Sequence, residues 1–374
     1  MRKEEIRGIV LYILIIASAV IFGFAFVRPQ VTDYGPNHMS PLLFVLLFIG
    51  FAYLINVFGL ELLHVIGAVI GGYKITRFNV LWLCFYKEKE SWKFGIRDFN
   101  GLSGETRIAP TREKTNLNWL TWFPLFGYAI ELATCIVLGS IAKTSDPKLS
   151  WLIPASTIVL LIASMLAVYN FIPVKLDSMT DGYRIRLFSN KINVDAYNKM
   201  LVIQEKQRLG EKIDGVPVFD EITEYTAEIN VLAINKYIED GKLLEAEKIV
   251  DKLIENKKII NPKDYARMIA QKLYIMILTR DIEEVKKEYD TLCPIEVRRF
   301  IANDAELSTI RAYILIAGMI ENSQSEVLYS KSRINKVSKK ALESEIRTEK
   351  ELIEKALEYI SEKHPKWEKE NAAE

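Results

Sequence analysis

Four stretches of this chain are nearly free of charge over a length that matches a lipid bilayer. Residues 9–27, 41–60 and 149–174 contain no charged side chain, and residues 117–142 contain only Glu131. A helix rises ~1.5 Å per residue, so about 20 apolar residues cross a hydrocarbon core of about 30 Å. Each run is long enough. The sequence thus specifies an α-helical integral membrane protein with several passes. Arg2, Lys3 and Arg7 precede the first run, as they would in a secretory signal. That run is longer than a signal core, however, and no small-residue cleavage site stands before Arg28, so it reads as an uncleaved anchor.

Basic residues set the orientation, because Lys and Arg concentrate in cytosolic connections. Three precede the first run, nine lie in 73–116 and 34 follow Val174, against one in 28–40 and two in 143–150. This alternation predicts four crossings of the plasma membrane, with both termini and the 73–116 connection in the cytosol. The tail after Val174 also holds 37 acidic residues. Near-neutral overall, it is not a nucleic-acid-binding stretch. Cys84, Cys135 and Cys293 are too widely spaced for a C-x-x-C zinc site, and the chain has three histidines.

Between the second and third runs the pattern changes from helix to strand. Residues 75–86 are rich in aromatic and β-branched side chains, 92–99 alternate, and Asn100-Gly101 is a tight-turn signal. With a third short strand reaching Ile108, they predict a two- or three-stranded β-meander on the cytosolic membrane face. From about Asn190 the chain is charged and helical in period. Leu243, Ala246, Val250 and Leu253 share one helical face, and Ile282, Val285, Tyr289 and Leu292 repeat it about 39 residues later. A unit near 40 residues with two helices predicts helical-hairpin repeats, an ordinary helical bundle being the plainer alternative. The final segment reads as a charged amphipathic helix with a solvated face, ending near Pro365 and frayed beyond it. Three regions follow: an extra anchor with an extracytosolic loop (1–40), a membrane core (41–189) and a cytosolic all-α domain (190–374).

Two ionisable residues interrupt the apolar stretch NVFGLELLHVIGAVIGGYK. Glu61 and His64 lie three positions apart and share a helix face. A charge at bilayer depth costs roughly 2.5–3.5 kcal/mol on insertion scales, so partners are required. Leu60-Glu61-Leu62-Leu63-His64 is the zinc-protease pattern H-E-x-x-H without its first histidine. In that pattern two histidines bind the metal and the glutamate activates its water. A second element, NFIPVKLDSMTDGYRI, follows the last run. Pro173 ends or kinks the span and leaves Asp177 and Asp181 on a loop that can fold back towards His64.

Taken in order, these elements resemble the site-2 protease family of membrane-embedded zinc metalloproteases, over roughly residues 41–186. The family's first core helix carries H-E-x-x-H and a small residue four positions on, where Ala68 stands here. A membrane-face β-meander follows, and a later helix ends in N-x-x-P before Asp-Gly, matched by Asn170, Pro173, Asp181 and Gly182. The resemblance implies His64 and Asp181 as zinc ligands and Glu61 as catalytic base. The Asn170-to-Asp181 separation exceeds the family's common spacing, which keeps Asp177 as a competitor for the ligand role.

Leu60 occupies the place of the first histidine ligand, and leucine cannot bind zinc. His38 lies at the wrong end of its helix and His364 in the distal tail. A catalytic zinc takes three protein ligands and a water, so the implied zinc site is incomplete. Glu131 is either a substitute ligand or an interhelical hydrogen-bonding acid facing the bundle interior. The expectation is a degenerate or inactive protease that binds a membrane or peptide partner through its groove and helical domain. Two alternatives stand beside it: an active intramembrane zinc metalloendopeptidase, its shell completed by Glu131 or Asp177, and an accessory subunit of a membrane transporter or export system.

Overall fold

Apolar length becomes helix here, as the sequence requires. A computed structural model describes residues 3–88, 90–96, 104–112, 115–174, 179–211, 213–338 and 343–367. Four segments are long and apolar enough to cross a membrane: Ile6–Tyr34, Pro41–Ile70, Asn118–Thr144 and Pro147–Phe171. The first comprises α1 (Lys3–Phe22), a π-helical turn (Gly23–Val27) and α2 (Arg28–Tyr34); α3 (Pro41–Ile70), α4 (Asn118–Thr144) and α5 (Leu152–Phe171) form the rest. Large apolar side chains such as Leu42, Leu46, Ile130 and Ile136 are exposed along them, which suits lipid and not water. Small residues let the helices close on each other. A Cβ at Gly67 of α3 would lie 2.3 Å from the Trp119 carbonyl oxygen, and one at Gly127 of α4 would lie 2.0 Å from Leu63 Cδ1.

After α3 the chain turns at Gly71 and Gly72, the latter at φ +88°, where a side chain would be strained. Four antiparallel strands follow: β1 (Tyr73–Val80), β2 (Leu83–Glu88), β3 (Ser91–Ile96) and β4 (Glu105–Pro110), in the order β3-β2-β1-β4. This corrects the expected meander twice. Residues 75–86 are not one strand, because Leu81 at φ +53° turns the chain and pairs Val80 with Leu83. No Gly or Asn-Gly marks that turn, and a continuous β-forming run hides it. The last strand pairs with β1 and not with β3, since it must lead back to α4, whose Trp119 lies against Gly67 near the end of α3. The Asn100-Gly101 turn and residues 97–99 lie outside the described residues.

The sheet is two-faced. Phe85, Trp92, Phe94 and Ile96 share one face and are exposed, with Phe85 and Phe94 rings 5.0 Å apart. β4 pairs antiparallel with β1, which directly follows α3, and its Thr106 reaches Glu61, so the sheet lies beside the later turns of α3. Nine residues separate Glu61 from Ile70, about 14 Å of helix. α6 (Asp181–Phe188) completes this part of the chain.

The chain divides into two units, Met1–Val194 and Asp195–Glu374, the boundary falling inside α7 (Lys191–Leu209). The second unit has no strand among its described residues and holds, after α7, α8 (Glu224–Glu239), α9 (Leu243–Glu255), α10 (Pro262–Thr279), α11 (Ile282–Leu292), α12 (Ile295–Asn303), α13 (Leu307–Leu315), α14 (Gln324–Ser338) and α15 (Glu343–Lys363). Thr223 caps α8 and Asn261 caps α10, each accepting a backbone N–H of the first turn. Consecutive helices α8/α9, α10/α11 and α13/α14 pack as neighbours. Ala246, Val250 and Leu253 of α9, and Val285 and Tyr289 of α11, are buried on the faces that the periodicity marks out.

α15 is less solvated than its charge suggests. Leu352, Ile353, Ala356 and Ile360 are buried, and Glu349 lies 3.0 Å from the fully buried Arg311. Arg311 also donates to Gln271 (3.1 Å) and sits over the Tyr274 ring. Breaking a buried pair of this kind costs roughly 3–5 kcal/mol, because a charge is left unmatched. The residues from 368 onward, expected to fray, lie outside the described residues. Expressed alone from residue 190, this part of the chain is expected to be soluble and mostly helical. A circular dichroism spectrum dominated by strand or coil would contradict that.

Candidate functional site

His64 is buried on α3 and cannot reach water, so its ring nitrogens need protein partners. Two carboxylates supply them from opposite edges. Nε2 lies 3.1 and 3.2 Å from the two oxygens of Asp181, 117 positions along the chain. Nδ1 lies 3.6 Å from Glu61 Oε1, one turn back on α3. All three side chains are nearly closed to solvent, at 3% exposure for Glu61, 6% for His64 and 2% for Asp181. The polar group that the sequence placed in an apolar helix is therefore compensated.

The end of α5 delivers Asp181. The helix stops at Phe171, with Ile172 extended and Pro173 unable to continue it. Asn170, in the last turn, holds the returning chain at two points. Its Nδ2 donates to Asp181 Oδ2 (2.7 Å), and its Oδ1 accepts the Asp181 backbone N–H (3.0 Å). Thr180 caps α6 by accepting the Tyr183 N–H (3.2 Å) and donates its own hydroxyl to the Ile172 carbonyl (2.8 Å). Gly182 is required by the fold itself, since a Cβ there would come within 1.9 Å of the Phe171 carbonyl oxygen.

Position at the first turn of α6 also suits a negative charge, through the helix dipole. Arg184 approaches the same carboxylate (3.8 Å). Burial pushes the Asp181 carboxyl up, but His64, Arg184 and Asn170 outweigh it and hold it below the usual carboxylate range.

Glu61 is fixed from the sheet side. Thr106 of β4 donates to its Oε2 at 2.6 Å. Gly104, just before the strand, lies so near that a Cβ would fall 1.9 Å from Glu61 Cγ. The sheet thus forms one wall of the site. Neither residue is visible as a site residue in the sequence, because their proximity depends on how β4 returns. Thr180 was legible in principle, being a threonine directly before the acid that opens a helix.

The remaining candidates are elsewhere. Glu131 accepts a hydrogen bond from Asn56 Nδ2 (2.9 Å), and among the described residues it makes no hydrogen bond to Glu61, His64 or Asp181. It joins α4 to α3. His38 is exposed before α3, and His364 stacks on Trp367 in the C-terminal unit. Asp177 lies outside the described residues.

The donor set can be tested against zinc directly. His64 Nε2 and Asp181 offer two donors that converge, whereas Glu61 faces the other ring nitrogen. Leu60, one turn before His64, contributes only hydrocarbon. Among the described residues no three His, Cys, Asp or Glu side chains are arranged to hold a metal. A catalytic zinc takes three protein ligands, and the described residues bring two donors, His64 and Asp181, together. No family model, curated protein or solved structure matches the chain. Substituting Gly182 by Ala should displace the start of α6 and lower the unfolding midpoint clearly. Gly59→Ala, which meets nothing within 4 Å, should leave it near the natural value. Equal midpoints for the two variants would show that the close approach at Gly182 does not hold Asp181 in place.

Proposed function

We propose that this chain is a site-2-protease-like integral membrane protein with an incomplete zinc site, acting by binding a membrane or peptide partner. The observation that carries this is the His64–Asp181 contact, with Asn170 clamping Asp181 and Glu61 on the far edge of the imidazole. Residues from two ends of the membrane core meet, which supports pairing His64 with Asp181 as the protease pattern implies for its ligands, while Glu61 lies at the other ring nitrogen. The missing element is chemical and specific. Leu60 removes one donor, and a two-donor site holds zinc weakly.

In this proposal the chain's own groups recognise and do not hydrolyse. The Glu61–His64–Asp181 cluster is nearly closed, with its polar atoms partnered inside the bundle and β4 as one wall. A partner segment would be met by the groove around this cluster and not by the three side chains themselves. Both termini face the cytosol, where the helical unit offers a second surface for a protein partner. An active intramembrane metalloprotease is the competing reading, and it requires a third donor that the described residues do not bring to His64.

Zinc content separates the two. Leu60→His would place an imidazole one turn before His64 and complete a three-ligand set with Asp181. This variant is expected to retain zinc after dialysis far better than the natural protein. Asp181→Ala in the same background should abolish the gain, whereas Asp177→Ala should not. Stoichiometric zinc in the natural protein would overturn the incomplete-site proposal in favour of the active enzyme. Equal metal-free behaviour of both proteins would overturn the protease-like geometry.

A further inference from the structure

At the end of the helix bundle away from Glu61, polar side chains of three helices face one cleft. Phe48 of α3 rests on Trp151 at the head of α5, with ring centroids 6.1 Å apart. Phe48 and Glu61 are thirteen residues apart, about 20 Å along α3. The cleft has a volume of about 170 Å³ and is lined by Gln30 of α2, Ser140 and Lys143 of α4, and Ser156 and Thr157 of α5, among others. Ser156 is buried and Gln30 and Thr157 are partly buried, while Ser140 and Lys143 lie exposed at the open side of the cleft.

Following each proton shows what the cleft lacks. Ser140 donates to the Ile136 carbonyl (2.8 Å) and Ser156 to the Ile153 carbonyl (3.0 Å). Thr157 has two acceptors, Gln30 Oε1 (2.6 Å) and the Ile153 carbonyl (2.9 Å). The hydroxyl protons are thus committed, the single Thr157 proton being shared between Gln30 Oε1 and the Ile153 carbonyl. What remains towards the cleft is a pair of unmatched donors: the Gln30 amide N–H groups and the Lys143 ammonium. Neither has a hydrogen-bond or ion-pair partner among the described residues. The serine and threonine oxygens keep free lone pairs around them. Gly139 borders the same space, and a Cβ there would lie 2.9 Å from Ser156 Oγ.

A guest that fits must be anionic, rich in acceptor oxygens and able to offer hydroxyl or amine protons to the serine oxygens. We infer that this cleft binds an anionic phosphate group, with Lys143 supplying the charge and Gln30 the neutral donor. Lys143 is the penultimate residue of α4, where a spanning helix leaves hydrocarbon and meets headgroups. A phosphatidylglycerol headgroup carries both the phosphodiester and the hydroxyls that the lining can use. Free phosphate shares the anionic part.

Full-length protein in detergent, titrated with short-chain phosphatidylglycerol or inorganic phosphate and followed by native mass spectrometry, tests this. One saturable phosphatidylglycerol adduct is expected, tighter than that of phosphatidylcholine. Lys143→Gln should weaken it roughly tenfold, the scale of one charge-assisted hydrogen bond. Gly139→Val should abolish it by filling the space, while Lys148→Gln, outside the cleft, should leave it unchanged. If inorganic phosphate displaces the lipid, the bare anion is the recognised group; if it does not, the lipid headgroup is. Retention of equal adducts by the natural protein, Lys143→Gln and Gly139→Val would overturn the site. So would the absence of any saturable adduct with either probe.

Discussion

A histidine buried in a helix long and apolar enough to cross a membrane has to be hydrogen-bonded within the protein, and most of the N-terminal unit is arranged around that requirement. Asp181 meets His64 across 117 positions because several local features agree. α5 ends where Pro173 forces it to end. Asn170 then catches the returning chain by its carboxylate and its backbone N–H, and Gly182 allows α6 to start against the Phe171 carbonyl. Each feature alone is ordinary. Together they convert an isolated polar residue in hydrocarbon into a closed cluster.

The sheet belongs to the same design. Gly71 and Gly72 reverse the chain after α3, so that the strands return beside the helix and do not project away from it. Thr106 then reaches Glu61, and Gly104 leaves room for that side chain. Leu60 contributes no donor where the protease-like pattern has its first histidine. The proposed binding role rests on that difference. Glu131 has a different task, since its bond to Asn56 ties α4 to α3 above the cluster.

Much of this was legible in the chain itself, for identifiable reasons. Hydropathy marked all four long apolar helices, because length and lack of charge alone decide them. His64, Asp181, Glu61 and Asn170 were legible because residue type and order carry the chemistry. Thr106 and Gly104 were not, since their role arises from a strand pairing that no local pattern encodes. The β1–β2 turn was hidden because Leu81 adopts a positive φ without the glycine or asparagine that normally announces it. Glu349 looked like one more charge on a solvated helix. Only its distant partner, the buried Arg311, makes it structural.

The central claim is that His64 and Asp181 touch and stabilise each other, and a double-mutant cycle measures that contact alone. His64→Ala, Asp181→Ala and the double variant would be compared by the free energy of unfolding in one detergent. A direct bond between a buried imidazole and a carboxylate predicts a coupling of roughly 1.5–3 kcal/mol, so the double variant loses much less than the two single losses combined. Losses that add to within about 0.5 kcal/mol would mean that the two residues do not interact, and the site assembled from them would not exist.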